Sequence, residues 1–450
     1  MAVFSTIKKS QLEGAKRLDA EYYQPGYLEV RKSLANSTAL IDVSKKITDF
    51  GAYSQMNFVE YSDSGVRFLR NQDVGEFFLQ DDDPVFVPEQ TYEKLSLKLE
   101  EYDIVTPRVG TLGNAAVVFR DQLPASANQN LAQIKPDRQK INPLYLAVFL
   151  SGRFGQAQFD WLATGNVQPW LNLSQINSIK IFTPSLDIQN NIAQLATKAL
   201  DVYKESKSLY TQAETLLFGE LGLKGFKADE DLYSIVNFSD IKSVNRMDAE
   251  YFQPKYEKLI SALKKQKARS LTDVLENVPA KFNPLTQPDK GFKYVELSNI
   301  GSSIGIIDGY TETSGKEAPS RAKRVLKKGD VIVSTVEGSL GKVALVSKEQ
   351  EGCLASTGFF QFRSENLLPE VLLVIAKSFI FHNQLEQRCA GTILTAVPKY
   401  SIKDILVPIL PKVTQEKIAK LVRGSHEARK KAKELLEKAK HQVEELVENN

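Results

Sequence analysis

From Ile188 the apolar and small residues recur as Ile188, Ile192, Leu195, Ala199, Val202, Ser206, Leu209, Ala213 and Leu216, in alternating steps of four and three. That alternation is an unbroken heptad seam, and it predicts a long helix whose stripe faces a second helix. A similar stripe closes the chain: Ile418, Leu421, Ser425, Ala428, Ala432, Leu435 and Ala439, carried on a little off register by Val443 and Leu446. Glu427, Arg429, Lys430, Lys431, Glu434, Glu437 and Lys438 fill the outer face of this second helix. Pro184 and Ser185 precede the first helix and Pro411 and Thr414 open the second, while Gly219, Gly222 and Gly225 stop the first. Small residues in both seams allow close approach, so the two helices are expected to pair antiparallel. A span from Asp187 to Glu220 measures about 50 Å at about 1.5 Å per residue.

Between these stripes the period changes. Val66–Arg67–Phe68–Leu69–Arg70 and Lys293–Tyr294–Val295–Glu296–Leu297 read as strands, as do Tyr102–Asp103–Ile104–Val105 and Asp330–Val331–Ile332–Val333, each followed by glycine-bearing turns. The pattern predicts mixed α+β units with a twisted sheet.

The units are copies of one another. Arg-Leu-Asp-Ala-Glu-Tyr-Tyr-Gln-Pro from Arg17 returns as Arg-Met-Asp-Ala-Glu-Tyr-Phe-Gln-Pro from Arg246, an offset of 229 (246 minus 17). Downstream the correspondence persists with small drifts, pairing Leu112–Gly113 with Leu340–Gly341, Gly165 with Gly391, and Gln189 to Leu195 with Gln415 to Leu421. The chain is therefore expected to be a tandem repeat with pseudo-two-fold character, its two similar globular domains separated by two long antiparallel coiled-coil helices. The domains are placed at residues 1–185 and 241–411, the helices at 186–221 and 412–448, and a linker at 222–240.

Composition narrows the possibilities. A 450-residue chain with 42% hydrophobic residues can fill two cores, and 25% charged residues is ordinary for a soluble protein. Cys353 and Cys389, and all three histidines (His382, His426, His441), lie in the second half alone, so neither a disulfide framework nor a metal site common to both copies can be built. No apolar run approaches the roughly 18 residues of a membrane helix, so a cytoplasmic protein without a membrane partner is expected. The net charge of +3 does not announce a nucleic-acid binder, and such a signal must be local.

Catalytic signals fail one by one. Gly338–Ser339–Leu340–Gly341–Lys342 lacks the four-residue spacing of a phosphate loop, and Val343 follows its lysine where Ser or Thr is needed. Asn142–Pro143–Leu144–Tyr145 is similar to the base-holding motif of amino-methyltransferases, but Leu368–Pro369–Glu370–Val371 at the equivalent place shows that proline at a helix start explains both. Asp81–Asp82–Asp83 suits a solvated turn, and the first copy has no histidine for a hydrolase triad. No metal and no catalytic residue is assigned.

What remains is binding equipment at loops. Arg108 to Asn114 and Glu337 to Lys342 follow strands and carry polar tips, and their glycines let backbone amides approach phosphate. Thr164 to Trp170 and Ala390 to Tyr400 form a second pair, and Asn128–Gln129–Asn130 opposite Ser356–Thr357–Gly358 a third. Amide side chains can read adenine, Arg and Lys guanine, and Thr a thymine methyl. The copies also diverge in charge: residues 89–103 hold five acidic and two basic side chains, and residues 316–330 two acidic and six basic. One scaffold with two surfaces fits two readers of two targets.

This organisation resembles the DNA specificity subunit of type I restriction-modification systems, over essentially the whole chain. Gly165 to Leu173, then Pro184, Gln189 and Ile192–Ala193, are similar to that family's Gly-Thr-x-Gln-Pro loop and its Pro-Leu-Pro-x-x-x-Gln-x-x-Ile-Ala helix start, as are Gly391 to Ile402, Pro408, Pro411, Gln415 and Ile418–Ala419. Leu394–Thr395 stands where Gln-Pro is usual. The resemblance implies a non-catalytic subunit that reads a bipartite, asymmetric site on double-stranded DNA with one target-recognition domain per half-site. Its helices would space the domains and dock two modification subunits, which carry S-adenosylmethionine and methylate adenine N6; this chain itself would bind no cofactor. A restriction and motor subunit would complete the complex. Residues expected nearest DNA are Arg108, Thr111, Asn114, Asn128, Gln129, Gln168 and Trp170 in the first domain. In the second they are Ser339, Lys342, Thr392, Lys399 and Tyr400, with Arg321, Lys323, Arg324, Lys327 and Lys328 on phosphates. Ile188, Ile192, Leu195, Val202, Leu209, Leu216, Ile418, Leu421, Leu435 and Leu446 are expected at the helix interface. A stand-alone DNA adenine methyltransferase or restriction enzyme, and a coiled-coil scaffold with two protein-binding domains, stay open as alternatives.

Overall fold

The computed structural model describes residues 4–10, 12, 17–51, 57, 59–62, 64–81, 83–165, 167–227, 233–301, 303–391 and 395–449. The chain is α+β and repeats one topology twice. It divides into two compact units, residues 1–203 with 430–450 and residues 204–429, so the first unit is discontinuous in sequence and the second is one continuous stretch. The division falls inside the two long helices, Leu186–Glu220 and Lys412–Glu448.

In the first unit a four-stranded antiparallel sheet runs in the order Ser44–Asp49, Leu131–Pro136, Ile104–Pro107, Ala116–Val117. A second sheet places Val66–Leu69 between Phe86–Val87 and Ala125–Ala127, the last pair parallel. The second unit repeats both arrangements and adds the strand Ala322–Val325 to the second sheet. Glu276–Asn277, Phe359–Arg363, Val331–Ser334 and Val343–Leu345 form the antiparallel sheet, and Gly291–Val295 pairs in parallel with Leu354–Ser356 in the other. The central strands Ile104–Pro107 and Val331–Ser334 are buried along their whole length, which is why they read as continuous apolar runs and not as alternating ones.

Behind each sheet lies an apolar helix, Pro143–Ser151 or Pro369–Lys377, with proline at its first position. The Asn142 side chain caps the first of these by accepting from the Leu144 and Tyr145 amides. A buried glutamine then ties each to its long helix. Gln189 Oε1 accepts from the Asn142 amide at 2.8 Å while its Nε2 donates to the Pro184 carbonyl at 2.8 Å. Gln415 Oε1 accepts from the Leu368 amide and its Nε2 donates to the Leu410 carbonyl, both at 3.0 Å. The repeated Arg-x-Asp-Ala-Glu-Tyr segment is likewise fastened twice. Arg17 pairs with Asp19 and donates to the Trp161 and Ala163 carbonyls, and Arg246 pairs with Asp248 and donates to the Gln387 and Cys389 carbonyls.

The long helices contribute to both cores. In the first unit Ile192, Ala196, Ala199 and Tyr203 share a core with Ala432, Leu436, Ala439, Val443 and Val447, and Tyr203 stacks on Phe78 at 4.3 Å between centroids. In the second unit Tyr210, Ala213 and Leu217 share a core with Ile418 and Val422. There the Ser425 hydroxyl donates to the Ser206 carbonyl at 2.7 Å and the Thr414 hydroxyl to Glu220 at 3.1 Å. These two contacts, one at each end of the segment, make the pairing antiparallel.

The seam differs in part from the one the sequence predicts. Ile192, Ala199, Ser206 and Ala213 are buried, but between them the buried positions are Ala196, Tyr203, Tyr210 and Leu217; Leu195, Val202, Leu209 and Leu216 sit half-buried beside them. In the second helix Ile418 is fully buried, and Val422, Leu436 and Val447 take the places expected of Leu421, Leu435 and Leu446, which are half-buried. Ile188 is half-buried as well. Each stripe is wider than a two-position seam because it meets both a helix and a sheet-backed domain. A tyrosine serves there through its ring.

Candidate nucleic-acid interface

At the end of the central strand in each unit, three loops distant in sequence are locked together by backbone hydrogen bonds. In the first unit the Arg108 amide donates to the Asn130 carbonyl at 2.7 Å, the Leu171 amide to Arg108 at 2.7 Å, and the Gly110 amide to Pro169 at 3.1 Å. Thr164 and Trp170 close the base of the third loop by exchanging two bonds of 3.0 and 2.8 Å. In the second unit the Thr335 amide donates to Gly358 at 2.9 Å, Val397 to Thr335 at 2.8 Å, and Glu337 to Thr395 at 3.1 Å, while Ala390 and Ala396 exchange bonds of 2.9 and 3.1 Å. Each bond has its counterpart at the equivalent residues. The loops predicted from sequence are thus brought together in both copies.

Glycine makes the third loop possible. Gly165 and Gly391 have φ of 103° and 129°, a region that other residues rarely adopt. A Cβ on Gly165 would also lie 2.6 Å from the Gln168 carbonyl oxygen. The loop consequently projects its tip: Val167 is 99% exposed, Gln168 is exposed, and Trp170 keeps 43% of its surface.

The remaining expected residues divide by environment. Thr111 is exposed. Asn114 is half-buried and donates to the Val74 carbonyl at 2.9 Å, and Asn128 accepts from the Asn130 amide at 3.0 Å. Arg108 is committed inward, its guanidinium paired with Asp49 and donating to the Leu171 carbonyl at 3.2 Å. In the second unit Ser339 is half-buried, Lys399 is exposed, and Tyr400 is 80% exposed. Lys342 donates to the Ile300 carbonyl at 2.8 Å. Thr392, together with Leu394 and Asn166, lies outside the described residues.

The basic stretch needs one correction. Arg321, Lys323, Lys327 and Lys328 are exposed, but Arg324 is 6% exposed and donates to the Val278 carbonyl at 2.5 Å. The strand Ala322–Val325 alternates buried and exposed positions, so every second side chain turns into the protein whatever its charge. Burial pulls the Arg324 guanidinium down to about 10, and a phosphate contact from it does not fit this geometry.

Sequence reasoning missed Asn71. Its Nδ2 donates to the Val109 carbonyl at 2.8 Å, fixing the first loop from the opposite side, and its Oδ1 is buried without a partner, as is Gln129 Oε1. The signal available was its place just after the strand Val66–Leu69, beside Gln72. In the acidic run Asp81 pairs with Arg67 and Asp83 with Arg70; Asp82 lies outside the described residues. Among the described residues no group of three His, Cys, Asp or Glu side chains could hold a metal ion, and no helix is long and apolar enough to cross a membrane.

No protein-family model matches the chain. The specificity subunit of the type I restriction enzyme HindI from Haemophilus influenzae is 25% identical over 162 residues, which is 35% of this chain and 34% of that protein. The chain is similar to type I specificity subunits. The match spans about a third of that relative's length. Among solved structures, the type I S subunit from M. genitalium superposes with a TM-score of 0.39 at 11% identity, over 91% of this chain and 94% of that one. The HsdS subunit from Thermoanaerobacter tengcongensis gives a TM-score of 0.30 at 14% identity, over 90% and 95%.

Proposed function

We propose that this chain is the DNA-reading specificity subunit of a type I restriction-modification complex and performs no catalysis itself. The matched backbone bonds that lock three loops together in both units carry this reading. A scaffold preserved to the level of single hydrogen bonds, with unlike side chains on its tips, is what reading two different half-sites requires. Thr111 and the Gln168 amide offer base contacts in the first half-site, and Lys399 and Tyr400 in the second. Lys323, Lys327 and Lys328, with Arg321, neutralise phosphates.

The long helices set the spacing and dock two modification subunits, whose S-adenosylmethionine supplies the methyl group for adenine N6. A motor and restriction subunit joins the same complex. Half-sites about one helical turn apart lie roughly 35 Å apart along the duplex, within the reach of a 35-residue helix at about 1.5 Å per residue.

The test is co-expression with a type I modification subunit and mapping of N6-methyladenine in host DNA. A split motif with two specified halves and a fixed gap is expected, and no methylation without the partner. An undivided motif, or methylation by this chain alone, would replace the proposal with a stand-alone enzyme.

A further inference from the structure

The two copies differ at one place in a way that leaves a carboxylate without its cation. In the second unit Glu386, on the helix Phe379–Arg388, receives the Lys255 ammonium at 3.0 Å, and that ammonium lies 4.8 Å from the centroid of the Tyr256 ring. Acid, cation and ring form a closed set. In the first unit the acid persists as Asp160, on the helix Arg153–Leu162, and the ring as Tyr27, but the position of the lysine is held by Gly26.

A cavity of about 420 Å³ opens there, lined by Arg17, Glu21, Tyr22, Tyr27, Asp160 and Trp161 among others. Arg17 adds no free cation, because Asp19 holds it at 2.6 Å, and the Arg31 guanidinium lies over the Tyr22 and Trp161 rings, at 3.8 and 4.9 Å from their centroids, donating to the Tyr22 carbonyl and not to Asp160. Glu21 and Asp160 leave the lining negative. Asp160 is exposed and has no hydrogen-bond or ion-pair partner among the described residues, and the desolvation it does meet raises its carboxyl above the usual range. Gly110 and Pro169 of the loop cluster reach the same cavity, yet two carboxylates repel phosphate, so it does not extend the nucleic-acid surface. Tyr22 and Trp161 already carry Arg31, so the ring open beside Asp160 is Tyr27, and a carboxylate next to an aromatic ring is suited to an organic cation.

We propose that this cavity binds a primary alkylammonium group, seated on Asp160 beside Tyr27 as the Lys255 ammonium is seated on Glu386 beside Tyr256. Two sources carry that chemistry: a lysine side chain of a bound protein and a free polyamine. The inference stands apart from the DNA reading and does not depend on it.

The experiment titrates the full-length protein with spermidine and with Nα-acetyl-lysine N-methylamide by calorimetry, in wild type, Asp160→Asn and Gly26→Lys. Gly26 lies in the helix Pro25–Ser33, and a Cβ there meets nothing within 4 Å, so the new side chain has room. Saturable millimolar or tighter binding is expected, weakened about tenfold by Asp160→Asn, as fits the loss of one charge-assisted hydrogen bond. Gly26→Lys should abolish it, its own ammonium filling the site, with a melting temperature at or above wild type. Similar affinity for both amines assigns the site to a lysine side chain, and much tighter spermidine binding assigns it to a polyamine. No saturable binding, equal binding by all three proteins, or a Gly26→Lys variant that melts lower and still binds amine would overturn the proposal.

Discussion

Single side chains join elements far apart in sequence, and the buried glutamines show how much rests on one of them. Gln189 receives an amide proton from the start of the helix Pro143–Ser151 and donates to the Pro184 carbonyl just before its own helix. Truncation leaves both groups buried and unpaired, at about 1–3 kcal/mol each. Gln189→Ala is therefore expected to lose at least about 2 kcal/mol in urea denaturation. Gln189→Glu, which keeps the acceptor but buries a carboxylate against the Pro184 carbonyl, should cost at least as much at neutral pH and recover in part as the pH falls and the carboxyl takes up a proton. A loss below about 0.5 kcal/mol would show that water replaces both bonds. The sequence marks Gln189 and Gln415 as equivalent in the two copies. It does not show that each reaches back 47 residues, to residues 142 and 368, because that contact exists only once the helices pack.

Elements are legible where their period is strong and less so where a face is shared. The long helices read directly from steps of four and three, and the strands from their apolar runs. Which side of each stripe is deepest did not follow, since Tyr203 and Tyr210 look polar beside Val202 and Leu209 but bury their rings. The difference is measurable at one adjacent pair. Leu217 is fully buried and Leu216 half-buried, so Leu217→Ala should cost about 2–5 kcal/mol and Leu216→Ala distinctly less. The opposite order would restore the seam read from sequence. The strand Ala322–Val325 teaches the same lesson with charge, since a count of cations ignores alternation. Lys323, Lys327 and Lys328 changed together to Ala should reduce the salt slope of DNA binding by up to about 3 units while leaving the fold intact. Arg324→Ala should instead lower stability, because a buried guanidinium held by the Val278 carbonyl is lost. An unchanged salt slope in the triple variant would remove these lysines from the phosphate contacts.

At the scale of the molecule, the tandem repeat is plain from Arg17 and Arg246, but the discontinuity of the first unit is not, because no local pattern tells a helix which core its far end will complete. Ala432, Leu436, Ala439, Val443 and Val447 belong to the core of the first unit although they lie near the C-terminus. That placement bears on how modules can be exchanged. A chimera that takes residues 1–185 from another specificity subunit keeps this chain's first long helix and its residues 430–450, so the incoming sheet meets unfamiliar partners. One that takes residues 1–203 together with 430–450 brings a complete core. Both are expected to change one half of the methylated motif and leave the other half and the gap as they were, because the second unit is untouched. The complete exchange should also melt higher, since five buried apolar positions stay matched to their neighbours and small mismatches in such cores cost about 1–3 kcal/mol each. Methylation mapping and thermal denaturation of the two chimeras separate the two claims. A motif altered in both halves would refute one domain per half-site, and equal melting would mean that the end of the second long helix tolerates either partner.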